Sequence, residues 1–302
     1  MSLGKNDISA LKKGDAVAVI STARKVSPSD LDFAITKIKS WGLNVCFGKN
    51  LFKKQHQFAG TIKERSEDLQ WALDDNNIKA VFFARGGYGS VHVVDCVDWQ
   101  AFTSMPKWLI GFSDITVFHS HVHQCFNIPT LHAAMPITYP QNTDAAIKNI
   151  RDILFGENVS YKFEGHSFNK NGKVKASIVG GNLSILYSLL GSKSQLNTDG
   201  KILFLEDLDE YLYHIDRMMQ ALKRAGMLEN LSGLMIGGMK GMNDNAIPFG
   251  KTAEEIIRDV VSEYAYPVAF NIPSGHINEN LPLLLGGEIN FTVATNEVLI
   301  GS

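Results

Sequence analysis

The chain has 302 residues, of which 45% are hydrophobic and 20% charged, with 26 glycines and 9 prolines. This composition excludes a disordered, collagen-like or low-complexity protein, and the length suits two domains of moderate size. The 29 basic and 31 acidic residues leave a formal charge of -2, which is too weak a field to attract nucleic acid, so we expect no nucleic-acid partner.

The sequence carries no sign of a membrane segment or an export signal. No run approaches the roughly 18 to 20 apolar residues that a membrane span needs, and the N-terminal stretch lacks the apolar core of a signal peptide. We therefore expect a soluble protein of the cytoplasm with no membrane partner. Its three cysteines, Cys46, Cys96 and Cys125, are far apart and have apolar neighbours. They are predicted to be buried and reduced, without a disulfide or a zinc site.

Strand-like and helix-like segments alternate through the first half of the chain. An apolar run at 15–20 is typical of a strand buried on both faces, and Ser27 and Pro28 then mark the start of a helix that ends at Gly42. The other predicted elements are strands at 43–47, 79–84 and 107–111 and a helix at 62–73. This βαβαβ order predicts a parallel sheet between helices, with functional groups at the carboxyl ends of the strands.

The polar sequence from 146 to 175 loses this periodicity. We interpret it as the join between two domains, 1–165 and 166–302. The second half is predicted to contain a helix opened by Asn182, strands at 201–205 and 231–238, helices at 210–224 and 253–264, and short strands after 267.

Ser113 is the first candidate for a catalytic residue. It follows the strand at 107–111 and precedes an apolar helical pattern, so a tight turn would lift its hydroxyl clear of the sheet, with the amide of Asp114 pointing into the same space. An exposed hydroxyl and an amide donor are what an acyl-transfer nucleophile needs. The alternative is that Ser113 or Asp114 only caps the helix, and Ile115 stands where α/β-hydrolases carry glycine.

A nucleophilic serine needs a base, and the chain has nine histidines. His276 lies in a loop that Pro and Gly make irregular at the end of a short strand, a position typical of catalytic groups. His119, His121 and His123 share a predicted helix, in which His119 and His123 fall on one face. A metal pair there is the less favoured alternative, because no acidic partner stands nearby.

The base in turn needs an acid that orients it. Glu206 ends the apolar strand at 201–205 and is expected to emerge at the sheet edge, partly desolvated. Its structural alternatives are a helix cap or a salt bridge to Arg217 or Arg224. Asp207 competes for the same catalytic role.

A glycine-rich loop, 85–89, follows the strand at 79–84. Its spacing fits neither a P-loop nor a dinucleotide fingerprint, so we favour a close approach of backbone amides to a reacting carbonyl over a phosphate cradle. Arg85 either binds a substrate carboxylate or pairs with an acid of the fold. Asn182, at the start of its helix, is a second candidate for substrate binding.

Together these blocks resemble the LD-carboxypeptidase family of serine peptidases, which includes the muramoyl-tetrapeptide carboxypeptidases and the microcin C immunity peptidases. Each block alone is weak, but the set runs in order over nearly the whole chain. The blocks are Gly60-Thr61 with Arg65, Arg85-Gly86-Gly87-Tyr88-Gly89, Gly111-Phe112-Ser113-Asp114-Ile115-Thr116, Gly180-Gly181-Asn182-Leu183, Leu205-Glu206-Asp207, Ile215-Asp216-Arg217 and Ser274-Gly275-His276.

The resemblance implies a triad with Ser113 as nucleophile, Glu206 as acid and His276 as base. It implies an α/β fold, in which an N-terminal Rossmann-like domain with a parallel sheet carries the serine and a C-terminal β-rich α+β domain carries the acid and base. The active site would lie in the cleft between the two domains, and the protein would be a homodimer.

The oxyanion amides implied by the resemblance are those of Asp114 and of Gly86 or Gly87. The implied reaction is acyl transfer without metal or organic cofactor, which cuts the L,D-peptide bond before the terminal D-alanine of a murein tetrapeptide, a step of peptidoglycan recycling. Microcin-immunity members use the same triad to cut an aspartyl amide in a peptide nucleotide. The segment from Asp207 to Asn230 has no long insertion that could stack a nucleobase, so we expect the small murein peptide as substrate.

Overall fold

Two β-sheets flanked by helices make up the fold, which a computed structural model describes for residues 8–301. Residues 1–7, part of the N-terminal stretch in which no export signal is predicted, and Ser302 lie outside the described residues. The elements of the first half are β1 (Ala16–Ile20), α1 (Pro28–Ser40), β2 (Asn44–Phe47), α2 (Ile62–Asp74), β3 (Ile78–Phe83), α3 (Gln100–Ser104), β4 (Trp108–Gly111), α4 (Thr116–Phe126), β5 (Thr130–His132) and α5 (Asp144–Leu154).

The second half is richer in strands. Its elements are β6 (Tyr161–Glu164), β7 (Gly172–Asn182), α6 (Leu183–Ser188), β8 (Ile202–Leu208), α7 (Leu212–Arg224), β9 (Gly233–Lys240), α8 (Ala253–Val261), β10 (Val268–Ala269), β11 (Leu283–Leu285), β12 (Glu288–Val293) and β13 (Glu297–Gly301).

The first sheet has the strand order β11-β5-β4-β3-β1-β2. Its five strands from the first half are parallel, as the βαβαβ pattern predicts. The sixth strand, β11, comes from near the end of the chain and pairs antiparallel with β5. The two halves therefore share a sheet edge in addition to a contact surface.

The second sheet is mixed, with the order β10-β9-β8-β7-β12-β13-β6. The strands β7 to β10 are parallel, and the remaining pairs are antiparallel. Because successive side chains of a strand point to opposite faces, Leu203 and Leu205 pack with the helices α6 to α8, whereas Ile202 and Phe204 pack on the other side with β12 and β13. This alternation decides where the residues that end β8 point.

The local signals for helix starts are confirmed at α1. Pro28 is the first residue of the helix, and the amide of Ser27 donates a 2.7 Å hydrogen bond to the carboxylate of Asp30. Leu31, Ala34 and Ile38 are buried along one face. The periodic spacing of apolar residues therefore located both the start and the inner face of this helix.

The segment 146–175, interpreted as the join between two domains, contains most of α5, all of β6 and the start of β7. One expectation needs correction. The cysteines are free, but they are not buried: Cys46 is half-buried on the edge strand β2, and Cys96 and Cys125 are exposed. Apolar neighbours in the sequence do not bury a side chain that lies at a sheet edge or faces outward. Within residues 8–301, every helix is too short or too polar to cross a bilayer.

Gly180 provides a test of the close packing between β7 and β8. Its φ is +131°, and a Cβ atom there would lie 2.0 Å from the backbone carbonyl oxygen of Phe204 on the paired strand. We expect Gly180→Ala to lower the free energy of unfolding by about 3 kcal/mol or more, because strain and overlap add.

Gly191→Ala is the matched control, since its φ is +77° but nothing lies within 4 Å of the added Cβ. It should cost only about 1–2 kcal/mol. Urea unfolding of both variants measures the difference, and equal losses would show that the contact with Phe204 is not limiting.

Candidate active site

Ser113 stands on a strained turn at the carboxyl end of β4. Its φ is +61°, in the left-handed region that non-glycine residues rarely occupy, and a short 3-10 turn then leads into α4. This is the strand-turn-helix arrangement that exposes a nucleophile. Gly111 supplies the small residue that the turn needs, because a Cβ there would lie 2.9 Å from the side chain of Ile115.

His276 reaches Ser113 from the second half of the chain. Its Nε2 lies 3.1 Å from the hydroxyl oxygen of Ser113, and its ring packs on Phe112 with 4.8 Å between the ring centroids. The preceding Gly275 has a φ of +107°, and a Cβ there would lie 2.7 Å from atoms of Glu206. Only glycine lets the histidine loop approach the acid so closely.

Glu206 lies on the other side of the imidazole and is completely buried. Its Oε2 accepts a 2.6 Å hydrogen bond from His276 Nδ1 and a 3.2 Å bond from the His276 backbone amide. With Nδ1 protonated by this bond, Nε2 is left as the acceptor that faces the serine. Glu206 makes no ion pair with Arg217 or Arg224 in the described part of the chain, so neither of the structural alternatives applies to it.

The side chain of Asp207 points away from His276 and Ser113. Asp207 follows Glu206 on β8, and successive side chains of a strand point to opposite faces. Its Oδ2 accepts a 2.9 Å bond from the amide of Ser184 in the first turn of α6. Burial, and then the adjacent charge of Glu206, raise the pKa of Asp207 to about 7. The competitor for the acid role is therefore a helix-capping carboxylate and does not contact His276.

Asn182 connects the two carboxylates. Its Nδ2 donates to Asp207 Oδ1 at 2.9 Å and to Glu206 Oε1 at 3.3 Å, while its Oδ1 caps α6 by accepting from the amide of Ile185. The backbone amide of Asn182 also donates to Thr116 Oγ1 at the start of α4. This side chain is 4% exposed, so the structure gives it a different place from the expected one: it braces the acid and does not line the groove.

The charge on Glu206 determines the titration of His276. Burial by itself lowers the pKa of His276, but the negative charge of Glu206 and the hydrogen bond to it outweigh burial and raise the pKa above the ordinary 6.5. The protonated imidazole is therefore stabilised in the site. That is the state which a general base passes through when it takes the proton of a serine.

The loop at 85–89 passes directly beside the nucleophile. A Cβ on Gly86 would lie 3.4 Å from Ser113 Oγ, and one on Gly87, whose φ is +109°, would lie 2.6 Å from the side chain of Arg24. The positive φ of Gly87 is a backbone conformation that favours glycine. The segment therefore lies where the sequence predicts one of the two oxyanion amides.

Asp114 provides the other expected amide, and its side chain fixes the turn. The buried carboxylate accepts a 2.8 Å bond from the amide of Ser90. Burial raises the pKa of Asp114, against the opposing effect of its hydrogen bonds and of Arg65. This contact connects the nucleophile turn to the end of the glycine loop.

Arg65 is a residue of the site whose role the sequence did not reveal. It is 1% exposed, its Nη1 donates to the carbonyls of Thr22 and Gly89, and its guanidinium lies 4.9 Å from the ring centroid of Phe58. It thereby joins the end of β1 to the glycine loop. Its position on the inner face of α2, one turn before Leu69, was the available signal, because an arginine among inward-facing apolar residues is unusual.

The three histidines of α4 do not form a metal site. His119 is buried with both ring nitrogens engaged, Nδ1 with Thr130 Oγ1 at 2.8 Å and Nε2 with the carbonyl of Gly111 at 2.9 Å. Burial lowers the pKa of His119 and of His123 to about 4. Among residues 8–301, no group of three His, Cys, Asp or Glu side chains is placed to hold a metal ion.

The hydrogen-bonded line from Ser113 through His276 to Glu206 opens onto a groove of about 660 Å³ between the two halves. Ser113, His276, Gly86, Gly87 and Arg85 are among the residues that line it. Arg85 is half-buried, with a 3.4 Å contact from Nη1 to the carbonyl of Lys25. No carboxylate in the described part of the chain lies within ion-pair distance of it, although its charge helps to lower the pKa of Asp30 after the hydrogen bonds from Ser27.

Comparison with known families matches both halves of the chain. Residues 17–133 match the family described as LD-carboxypeptidase N-terminal domain, and residues 175–291 match its LD-carboxypeptidase C-terminal domain. A Bacillus subtilis protein named "Probable murein peptide carboxypeptidase" is 32% identical over 309 residues, which span 96% of this chain and 93% of the relative. The murein tetrapeptide carboxypeptidase of Pseudomonas aeruginosa is 26% identical over 87% of this chain and 89% of its own length.

Solved structures share the fold over almost the whole chain. The muramoyltetrapeptide carboxypeptidase from Oxalobacter formigenes has a TM-score of 0.86 at 25% identity and covers 95% of this chain and 99% of its own. The microcin C7 self immunity protein MccF, in complex with aspartyl sulfamoyl adenosine, has a TM-score of 0.86 at 20% identity, with 97% and 98% covered. At 20% identity, the likeness to MccF shows a shared fold alone.

The electrostatic coupling of His276 to Glu206 can be measured without a substrate. We expect Glu206→Gln to lower the pKa of His276, because the opposing charge is removed and burial then dominates. NMR titration of the His276 ring in both proteins measures the shift. Glu229→Gln, at an exposed position far from the groove, should leave the pKa unchanged, and an unchanged pKa in the Glu206 variant would contradict the coupling.

Proposed function

Because the chain belongs to the LD-carboxypeptidase family of serine peptidases, we propose that it hydrolyses the L,D-peptide bond before the terminal D-alanine of murein tetrapeptides. The observation that carries this proposal is the hydrogen-bonded line from Ser113 through His276 to Glu206, whose first two members line an open groove. Relatives named murein peptide and murein tetrapeptide carboxypeptidase support the choice of substrate.

The first half of the reaction forms an acyl-enzyme. His276 Nε2 takes the proton of the Ser113 hydroxyl while the oxygen attacks the peptide carbonyl carbon, and the carbonyl oxygen becomes an oxyanion. The amides of Asp114 and of Gly86 or Gly87 stabilise that charge; losing one such donor typically costs about 100- to 1000-fold in rate. The C–N bond then breaks, and the imidazolium gives its proton to the leaving D-amino acid.

The second half returns the enzyme to its starting state. His276 takes a proton from water, the hydroxyl oxygen attacks the ester carbonyl, and the bond to Ser113 breaks as the imidazolium reprotonates the serine. Glu206 stays ionised throughout, since its role is to hold the ring tautomer and to stabilise the imidazolium. None of these steps needs a metal ion or an organic cofactor.

One feature of the fold favours a small peptide over a peptide nucleotide. The connection from β8 to α7 runs only from Asp209 to Tyr211, between strand and helix, which leaves little chain to stack a nucleobase. The peptidoglycan recycling role, the cytoplasmic location and the homodimer remain predictions that rest on the family resemblance.

Loss of the nucleophile tests the mechanism. Ser113→Ala should fold normally and lose about 10^6-fold in release of D-alanine from murein tetrapeptide, as removal of a triad serine does. Ser262→Ala, at an exposed serine that ends α8, is the control and should retain full turnover. Appreciable turnover by the Ser113 variant would end the serine mechanism.

A direct comparison of substrates tests the proposed specificity. The purified protein is offered murein tetrapeptide and, separately, an aspartyl sulfamoyl adenosine, and kcat/KM is measured for both by chromatography of the products. We expect the tetrapeptide to be the better substrate, because the short connection from Asp209 to Tyr211 leaves little chain to stack the base. A higher value for the nucleotide would reassign the protein to the microcin-immunity type of activity.

A further inference from the structure

One peptide unit at the end of the glycine-rich loop lies between two buried charged side chains. It consists of the carbonyl of Gly89 and the amide of Ser90, and we call it the bridging peptide. Its carbonyl accepts a 2.9 Å hydrogen bond from Arg65 Nη1, and its amide donates a 2.8 Å bond to Asp114 Oδ2. Arg65 and Asp114 are each 1% exposed, so solvent screens neither contact.

The two charges act on the bridging peptide in the same sense. A cation at the oxygen and an anion at the N–H both increase the polarity of the peptide, so each hydrogen bond strengthens the other. Burial lowers the pKa of Arg65 and raises that of Asp114, and in each case the charge of the other residue opposes the change. The guanidinium and the carboxylate therefore interact across the peptide that separates them.

The bridging peptide connects the two parts of the chain that carry the expected oxyanion amides. Asp114 supplies one of these amides from its own backbone, next to Ser113. The other belongs to Gly86 or Gly87, in the part of the loop that passes the serine. The distance between the two amides thus depends on how the end of the loop is held against the nucleophile turn.

Arg65 also holds a second segment against the same loop. Its Nη1 donates to the carbonyl of Thr22, which follows β1, and further along that segment the amide of Arg24 donates to the carbonyl of Gly86 at 3.4 Å. Thr22 Oγ1 lies 2.9 Å from the hydroxyl oxygen of Ser90. One guanidinium nitrogen therefore joins the two segments whose contact fixes Gly86.

From these contacts we infer that Arg65 is a positioning residue of the oxyanion site. The inference rests on the proposed serine mechanism. Arg65 holds the bridging peptide so that the amide of the glycine loop and that of Asp114 point at the same oxygen. It is not among the residues that line the groove, so it acts only through the loop. Its loss weakens stabilisation of the oxyanion and leaves binding of the peptide in the groove unchanged.

The rate at which a fluorophosphonate labels Ser113 measures the oxyanion site without a peptide substrate. The serine oxygen bonds to phosphorus, fluoride leaves, His276 takes the hydroxyl proton, and the phosphoryl oxygen occupies the oxyanion position. We expect Arg65→Met to lower this rate about 10- to 100-fold, which is less than the cost of losing a donor altogether. Arg65→Lys keeps a charge and a donor, so its rate should lie between those of Arg65→Met and the wild type.

Turnover of murein tetrapeptide provides a second measurement. In Arg65→Met, kcat for release of D-alanine should fall by a factor similar to that for labelling, with KM within about two-fold of the wild-type value. The pKa of His276, measured by NMR, should not change, because Glu206 keeps its contacts. Arg258→Met is the matched control: this guanidinium also lies over a ring, 4.6 Å from the centroid of Phe168, but outside the groove. It should leave labelling and turnover unchanged.

Asp114→Asn changes the other end of the bridging peptide. It keeps an oxygen that can accept the amide of Ser90 but removes the charge, so labelling should again slow. Because both side chains act through one peptide, the losses should not multiply. The double variant R65M/D114N should be labelled about as slowly as the slower single variant.

Three results would contradict the positioning role: labelling of folded Arg65→Met at the wild-type rate, a raised KM at unchanged kcat, or losses that multiply in the double variant. If Arg65→Met does not fold, Arg65→Lys and Asp114→Asn decide, and wild-type labelling rates in both would overturn the inference. If the wild type is labelled but releases no D-alanine, the proposed substrate is wrong, and the labelling rates still decide the role of Arg65.

Discussion

A carboxylate buried between two sheets is the feature on which the rest of the site depends. Glu206 is fully removed from solvent, and an ionised group in such a place is stable only if hydrogen bonds replace water. The ring Nδ1–H and the backbone N–H of His276 and the side-chain amide of Asn182 supply these hydrogen bonds. The bond that satisfies the carboxylate also orients the imidazole toward Ser113, so burial and activation of the serine have the same physical cause.

This arrangement requires a close fit between parts that are distant in the chain. The nucleophile turn follows β4 of the first sheet and the acid lies on β8 of the second, whereas the base lies in the loop that runs from β10 of the second sheet to β11 of the first. Thr116, at the first turn of α4, receives the backbone amide of Asn182, which connects the turn to the residue that braces the acid. Glycines at 86 and 275 let two loops approach within contact distance of Ser113 and Glu206. The strained φ of Ser113 is thus maintained by contacts on several sides.

Much of the fold could be predicted from the sequence because the signals were local. Local signals also marked Ser113, Glu206 and His276 as candidates, and the family resemblance joined them as a triad; the strand predicted to end before Glu206 continues to Leu208. Local patterns do not show which distant segments of the chain meet in space. His276 meets Ser113 over a separation of 163 residues, and the short strand β11 joins the first sheet by pairing with β5. The exposure of Cys96 and Cys125 and the bracing role of Asn182 depend on these distant contacts, so periodicity could not reveal them.

Covalent labelling of the serine tests most directly whether these three groups act together. A fluorophosphonate reacts with a serine only when a neighbouring base activates it. After treatment of the folded protein, peptide mapping by mass spectrometry should find the adduct on Ser113, with little labelling in His276→Ala. Absence of an adduct on Ser113, or equal labelling in the histidine variant, would contradict an activated serine at the junction of the two sheets.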